Sequence, residues 1–456
     1  MAKQSKGRRA VVAQKNDNRR IWLIVLPVLA FFIKMIVMTN TVQGGWLGAD
    51  GENYLSAVDG LKADGFFSEV RNLHYWPAGY SIFIWLLVKI AAGNFLYLLS
   101  ITQGLLFAYA TYFFTKQLLS TRIALLAVAA SFFVSFNPTL SLSSNVVGYE
   151  TPAASLLLIS IALLIKDKLE NPLGYSRKLA ALSALAIGLS CFFQPRNILF
   201  GIAIFFIYFL TLTGKKSKIQ FAAITLVVLM LFPAILMGRN IGAINSATIS
   251  TNLGTTMFIG IGDGATGGYN GKYNGVPCPA SEKGTEAQVD SAKVKCALVW
   301  YVKNPGKTLV LAAKKTAFFW SPWFGPVANG TMARNPWLKI DPVKTGIKTQ
   351  ENYDFVFGGF GKMVSWLWVI GQLVLLFSGL MWLWKMGGNE KLLAKLAGAP
   401  VLLGWLISMG TIGDHRFRLP QMGLSLFLQV AGFYGLRKRL SVAGIAPTLE
   451  ASTKAR

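Results

Sequence analysis

Ten apolar runs decide what this chain can fold into. They lie at 21–39, 95–118, 121–139, 150–166, 178–194, 197–214, 219–237, 363–385, 396–412 and 419–436. A bilayer core is crossed by roughly 17–25 mainly apolar residues in a helix. In lipid every backbone amide must find its partner inside its own segment, which demands helices or closed barrels. Runs of this length predict an all-α polytopic membrane protein with about ten transmembrane helices. Composition agrees: charged residues are 14% of the chain, against about 25% in soluble proteins.

An eleventh run, "GYSIFIWLLVKIAAG" at 79–93, is too short for an easy span and carries Lys89. The positive-inside rule decides how to read it. With Arg19 and Arg20 on the cytoplasmic side, the first span exits. If 79–93 also crossed, the basic connections "TKQLLSTR", "KDKLENPLGYSRK", "GKKSK", "KMGGNEKLLAK" and "LRKRL" would all fall outside. If 79–93 lies along the interface, all of them fall inside. The second arrangement predicts juxtamembrane helices in the first outer loop, and it places both termini in the cytoplasm.

The resulting organisation is a basic cytoplasmic tail (1–20), an N-terminal transmembrane module (21–237) with its first outer loop at 40–94, and an extracytoplasmic segment (238–362). The C-terminal transmembrane helices (363–440) and a cytoplasmic tail (441–456) complete it. The first run has the flanks of a signal peptide, but it is longer than the usual apolar core of one and reads as an uncleaved span. The net charge of +26 comes from 45 basic and 19 acidic residues. Lys and Arg gathered at cytoplasmic helix ends and in a tail facing anionic lipid account for it, so no nucleic-acid partner is expected.

This topology sends "GADGENY" (48–54), "SLSSNVVGYE" (141–150), "QPRN" (194–197) and "GDHRFR" (413–418) to one membrane face, with 238–362. Asp50 and Glu52 therefore face outward, as do the two histidines, His74 and His415. Asp50 is either a reactive carboxylate or a cap for a helix starting near Glu52. Glu150 either faces a cavity or a partner, or complements a helix dipole from its first turn. Arg196, Arg239, Arg416 and Arg418 sit at outer span ends. The planar fork of arginine suits phosphate, although each could equally reach for lipid headgroups. A divalent metal on His74, His415 and Asp50 is conceivable, but their spacing supplies no ligand motif.

In 238–362, "GDGATGG" lacks the Gly-Lys-Ser/Thr that completes a phosphate-binding loop, and it reads as a tight loop packed on the bundle. Cys278 and Cys296 share this outer segment while Cys191 lies in a span, which suggests a Cys278–Cys296 disulfide, the alternative being two buried thiols. "KNPGKTLVLAAKKTAFFW" (303–320) opens with Asn304 and Pro305, a helix start, and its lysines and aromatics fit a helix in the interface. "NGT" at 329–331 matches a glycosylation sequon.

"ADGENYLSAVDGLKADGF" followed by "HYWPAGYSIFIWLL" resembles the first outer loop of the C-type glycosyltransferases that use polyprenyl-phosphate sugars. The bacterial relatives of protein O-mannosyltransferases and the lipid A aminoarabinose transferase are the nearest in pattern. Asp50, Tyr54, Ala57 and Pro77 match the family's order. "RNIGAINSATISTNLGTTMFIGIGDGATGGY", ending at Tyr269, resembles its Arg-Asn exit and Ala-Thr-Gly-Gly-Tyr loop. "KKTAFFWSPW" and "RFRLPQMGLSLFL" resemble later landmarks. This chain has Gly51 before Glu52 where the family often has adjacent acids, and Pro77-Ala78 where it often has Pro-Pro.

The resemblance implies an enzyme of the bacterial cytoplasmic membrane. It would transfer a sugar from a polyprenyl-phosphate-linked donor to a lipid, glycan or protein acceptor on the extracytoplasmic face, with inversion. Asp50 would be the base, Glu150 part of the site, and Arg418, with Arg416 beside it in "DHRFRLP", the donor-phosphate ligand ahead of Arg239 and Arg196. A transporter or lipid flippase is the alternative, suggested by Lys34 inside a span and Pro195 between two; no internal repeat accompanies them.

Overall fold

The computed structural model describes residues 18–36, 46–47, 50–270, 275–321 and 358–442. Most of the basic N-terminal tail, the Asn329 sequon and the C-terminal tail lie outside the described residues.

The apolar runs fold as helices. In chain order these are α1 (18–36), α2 (Gly51–Asp64), α3 (Asn72–Tyr75), α4 (Ala78–Ala91), α5 (Phe95–Leu118), α6 (Leu126–Ser135), α7 (Pro138–Ser143), α8 (Glu150–Glu170) and α9 (Arg177–Phe193). There follow α10 (Asn197–Phe209), α11 (Lys215–Ile244), α12 (Leu253–Ile259), α13 (Glu286–Lys303), α14 (Pro305–Trp320), α15 (Gly359–Met386), α16 (Gly388–Gly410) and α17 (Leu419–Val442). Two short strands, β1 (Trp46–Leu47) and β2 (Val146–Val147), pair in parallel. The fold is that of an all-α membrane protein.

Among the described residues, four segments are long and apolar enough to cross a bilayer: Ala78–Leu118, α11, α15 and α16. Within Ala78–Leu118 the backbone breaks at Ala92, which takes φ 41°, an uncommon region for a residue with a Cβ. The run expected at 121–139 is divided in two. Asn137 accepts a hydrogen bond from the Leu140 amide, and Pro138 opens a new helix, because proline cannot continue the old one. α11 continues past its apolar run to Ile244, since its polar residues Arg239 and Asn240 find partners in the loops.

α8 is buried along nearly its whole length and forms the axis of the bundle. Around it, Phe107, Phe114, Ile161, Phe200 and Phe427 belong to one continuous core. α15 and α17 approach closely because Gly379 and Gly432 face each other's helices. A Cβ on Gly379 would fall 1.9 Å from the Leu428 carbonyl, the small-residue contact that membrane helices favour. The opposite faces carry exposed apolar side chains such as Trp22, Phe32, Val227 and Trp368. In water such surface would be a liability; against acyl chains it is the stable choice.

Candidate active site

The site begins with the two-residue sheet. Trp46 pairs with Val146 and Leu47 with Val147, in parallel. In chain order α2 follows β1 and α8 follows β2. Asp50 and Glu150 stand at the same offset beyond the paired ends (47 to 50 and 147 to 150). The pairing therefore delivers two carboxylates to one end of the bundle. A polar network beneath holds this end in place. The Tyr80 hydroxyl donates to Gln103 (3.1 Å) and accepts from the Gly148 amide (2.8 Å), while Gln103 donates to the Ser144 and Val146 carbonyls. Lys34 donates to the Ser100 carbonyl at 2.7 Å and to the Ser144 hydroxyl at 3.0 Å.

Asp50 occupies the N-cap position of α2, yet its side chain makes no capping hydrogen bond. Instead Oδ2 accepts from Arg416 Nη1 at 2.8 Å. Arg416 belongs to the short 3-10 turn His415–Arg418, which Asp414 starts by accepting from the Arg416 amide at 2.9 Å. Burial works against the charge of Arg416, but Asp50 and Asp414 more than offset it and raise its pKa further. This guanidinium is cationic at every working pH.

Glu150 is 1% exposed, and neither carboxylate oxygen has a hydrogen-bond partner among the described residues. The Tyr54 hydroxyl, also buried, has none either. Burial pushes the Tyr54 phenol well above its ordinary pKa, so it keeps its proton and remains a donor. Tyr54 packs edge-on against Tyr80 at 5.1 Å and Tyr149 at 6.3 Å. Asp50, Glu150, Arg416, Tyr149 and Tyr54 are electrostatic neighbours. Arg196 joins them, stacked over Phe417 at 4.1 Å with burial lowering its pKa. Orphaned buried polar groups are rare in folded proteins. Glu150, Tyr54 and Arg196 Nη2 are three such groups around one salt bridge.

The remaining residues singled out in the sequence stand elsewhere. Arg239 donates to the Phe66, Leu73 and Ser68 carbonyls and to Asn240, clamping the loop after α2 to α11. Arg418 donates to the Ser321 carbonyl at 2.9 Å and lies over Trp320, tying the end of α14 to the 3-10 turn; burial lowers its pKa to about 9. His74 lies 3.3 Å from Glu286, which also binds Arg71 at 2.6 Å. His415 lies 3.6 Å from Asp414 on the rim of the site. Glu52 is exposed on α2.

Tyr269 is 67% exposed on the glycine loop. That loop packs closely: the Gly413 amide donates to the Gly267 carbonyl at 2.8 Å, and Gly267 has φ 98°. Cys278 and Cys296 are joined in a disulfide, with Cα atoms 6.1 Å apart. Among the described residues no group of three or more His, Cys, Asp or Glu is gathered.

Sequence reasoning did not single out Tyr149, whose hydroxyl accepts from Gln194 at 2.6 Å, or Tyr80. Nothing in "VGYE" or "AGYS" marks them apart from any interfacial tyrosine.

No protein-family model and no curated protein matches the sequence. Solved structures with a similar chain trace include those of the Archaeoglobus fulgidus oligosaccharyltransferase. Its apo form is 13% identical with a TM-score of 0.49, over 95% of this chain and 52% of that one. Its complex with an inhibitory peptide and a dolichol-phosphate is 12% identical with a TM-score of 0.47, over 92% and 51%. This chain thus spans about half the length of those proteins.

Proposed function

We propose that this chain is a membrane glycosyltransferase that moves a sugar from a polyprenyl-phosphate donor to an acceptor on the extracytoplasmic face, with inversion. The observation that carries this reading is the Asp50–Arg416 pair beside the unpartnered carboxylate of Glu150. A guanidinium can hold a donor phosphate through two parallel charge-assisted bonds. Phosphate arriving at Arg416 competes with Asp50 and releases its carboxylate to act as base. The acceptor O–H then gives its proton to Asp50 and its oxygen attacks C1 of the sugar. The C1–O bond to phosphate breaks, and its electron pair leaves with the polyprenyl phosphate, stabilised by Arg416. Glu150 and Tyr54 supply hydrogen-bonding groups of opposite kind, an acceptor and a donor, as a polyhydroxyl substrate requires.

The ten-span topology belongs to the same proposal, supported by the placement of basic connections. In cells, an impermeant maleimide is expected to label a cysteine replacing Lys283 and to spare one replacing Lys216; the reverse would invert the site's side. The transporter reading finds no support at Lys34, whose ammonium is engaged by Ser100 and Ser144. The direct test offers purified protein a labelled polyprenyl-phosphate sugar together with lipid, glycan and peptide acceptors. Acceptor-dependent release of polyprenyl phosphate is expected. Release of none, with donor moved between leaflets instead, would mark a flippase.

A further inference from the structure

The corner where α13 meets α14 turns apolar side chains outward. Val302 is 82% exposed, Leu309 72%, Val310 57%, Leu298 51% and Val299 50%. Lys295 and Lys303 are exposed beside them. Leu298 and Val302 continue one stripe of α13 from Lys295, since residues three and four apart share a helix face. A corner standing in water would carry polar residues at these positions.

The other faces of the two helices fix their depth. The Tyr301 hydroxyl donates to the Gly410 carbonyl at 2.9 Å, and Lys315 donates to the Met409 carbonyl at 3.1 Å. Trp405 donates through its indole to the Thr316 hydroxyl at 2.9 Å. All three contacts fall in the last two turns of α16, one of the four segments apolar and long enough to cross a bilayer. Where α16 crosses, its last turns lie at the boundary between acyl chains and headgroups, and tryptophan is enriched at that level. The α13–α14 corner is therefore held at the membrane boundary, with an apolar surface facing away from the bundle.

We propose that this corner is a wedge seated in the leaflet around the site, with Val302, Leu309 and Val310 among the acyl chains and Lys295 and Lys303 at acidic phospholipid headgroups. The occupant is the bilayer itself. Apolar insertion combined with lysine attraction to anionic lipid is the energetics of an interfacial helix. The wedge steadies the small core behind it, in which Met257, Phe258 and Ile261 pack with Cys278.

The test labels single cysteines with an environment-sensitive fluorophore in the full chain. Cys191 is replaced by serine, the disulfide is kept, and the protein is reconstituted in phosphatidylethanolamine–phosphatidylglycerol vesicles. A label at Val302 is expected to emit further to the blue than one at Ser291, about three turns back on α13. It is also expected to lose intensity to spin-labelled lipid and not to aqueous iodide. Replacing phosphatidylglycerol by phosphatidylcholine is expected to reduce the lipid quenching. Iodide quenching at Val302 equal to that at Ser291 would overturn the wedge. Shielding from both quenchers would also overturn it, in favour of a second copy, another protein or segment 322–357. Lipid quenching indifferent to phosphatidylglycerol would overturn the role given to the two lysines.

Discussion

The carboxylate of Asp50 and the guanidinium of Arg416, 366 positions apart in the chain, meet at 2.8 Å. The pair joins the start of α2 to the turn before α17. Arg416→Lys keeps a cation but loses the planar fork. Donor phosphate and Asp50 should then both be held less well, and transfer is expected to fall by roughly 10²-fold, the order seen when one anion-stabilising donor is removed. Steady-state transfer against donor concentration checks this. Native kinetics in Arg416→Lys would move the phosphate to Arg196.

Glu150 separates a chemical role from a structural one. Glu150→Gln removes a buried carboxylate that has no partner in the fold, so stability should hold or rise, because an unpaired buried charge is costly. If its oxygens serve substrate hydroxyls, transfer should drop while the melting temperature does not. A dipole-complementing Glu would give the opposite pattern.

Stability should fall on acidification. His415 is held well below its ordinary pKa, by burial first and then by Arg418 and Arg416. His74 is lowered as well, since burial outweighs the carboxylate of Glu286. Both are neutral in the fold at pH values where the unfolded chain begins to bind protons, near the ordinary value of about 6.5. The unfolded state then carries more protons, so stability rises with pH and is lost as pH drops below about 6.5. The loss approaches ~1.4 kcal/mol per pH unit for His415, and His74 adds to it in the same direction. Melting curves from about pH 8 to about pH 5.5 should show this slope, and His415→Asn should lessen it.

The Cys278–Cys296 bond closes a loop of 18 residues in sequence separation. In the chain-entropy model that stabilises the segment by about 3 kcal/mol. Reduction should raise proteolytic nicking between 275 and 303 while leaving the bundle intact. Non-reducing peptide mapping checks the bond directly, and finding both thiols alkylated without reductant would reject it.

How much of this was legible in the sequence follows from what periodicity can carry. Apolar length located the helices because lipid leaves the backbone no other choice. It overshot at 121–139, where Pro138 interrupts, and it stopped short at Arg239, because hydropathy sees a charge and not the carbonyls that satisfy it. The gathering of Asp50 with Glu150 rests on the register of a two-residue parallel pair, far below any pattern signal. In one dimension "DHRFRLP" favours Arg418 and then Arg416 over Arg196 and Arg239 as the phosphate ligand. Only in the fold does Arg239 become a clamp on the loop after α2, Arg418 a tie to α14, and Arg416 the partner of Asp50. The loop "GDGATGG" was read by what it lacks, and its packing against Gly413 agrees with that reading.

Whether Asp50 takes the acceptor proton is tested by one paired substitution. Asp50→Asn keeps the volume and a hydrogen-bonding oxygen for Arg416, and no capping bond is at stake; only proton acceptance and the charge opposite Arg416 are lost. Transfer from a labelled polyprenyl-phosphate sugar should fall by roughly 10²-fold or more, while donor binding, freed of its competitor at Arg416, holds or tightens. The melting temperature should drop, because the largely buried Arg416 loses a charged partner. Glu52→Gln, on the exposed face of α2, should leave transfer nearly unchanged. Full activity in Asp50→Asn with loss in Glu52→Gln would make Glu52 the base, and full activity in both would contradict the glycosyltransferase account.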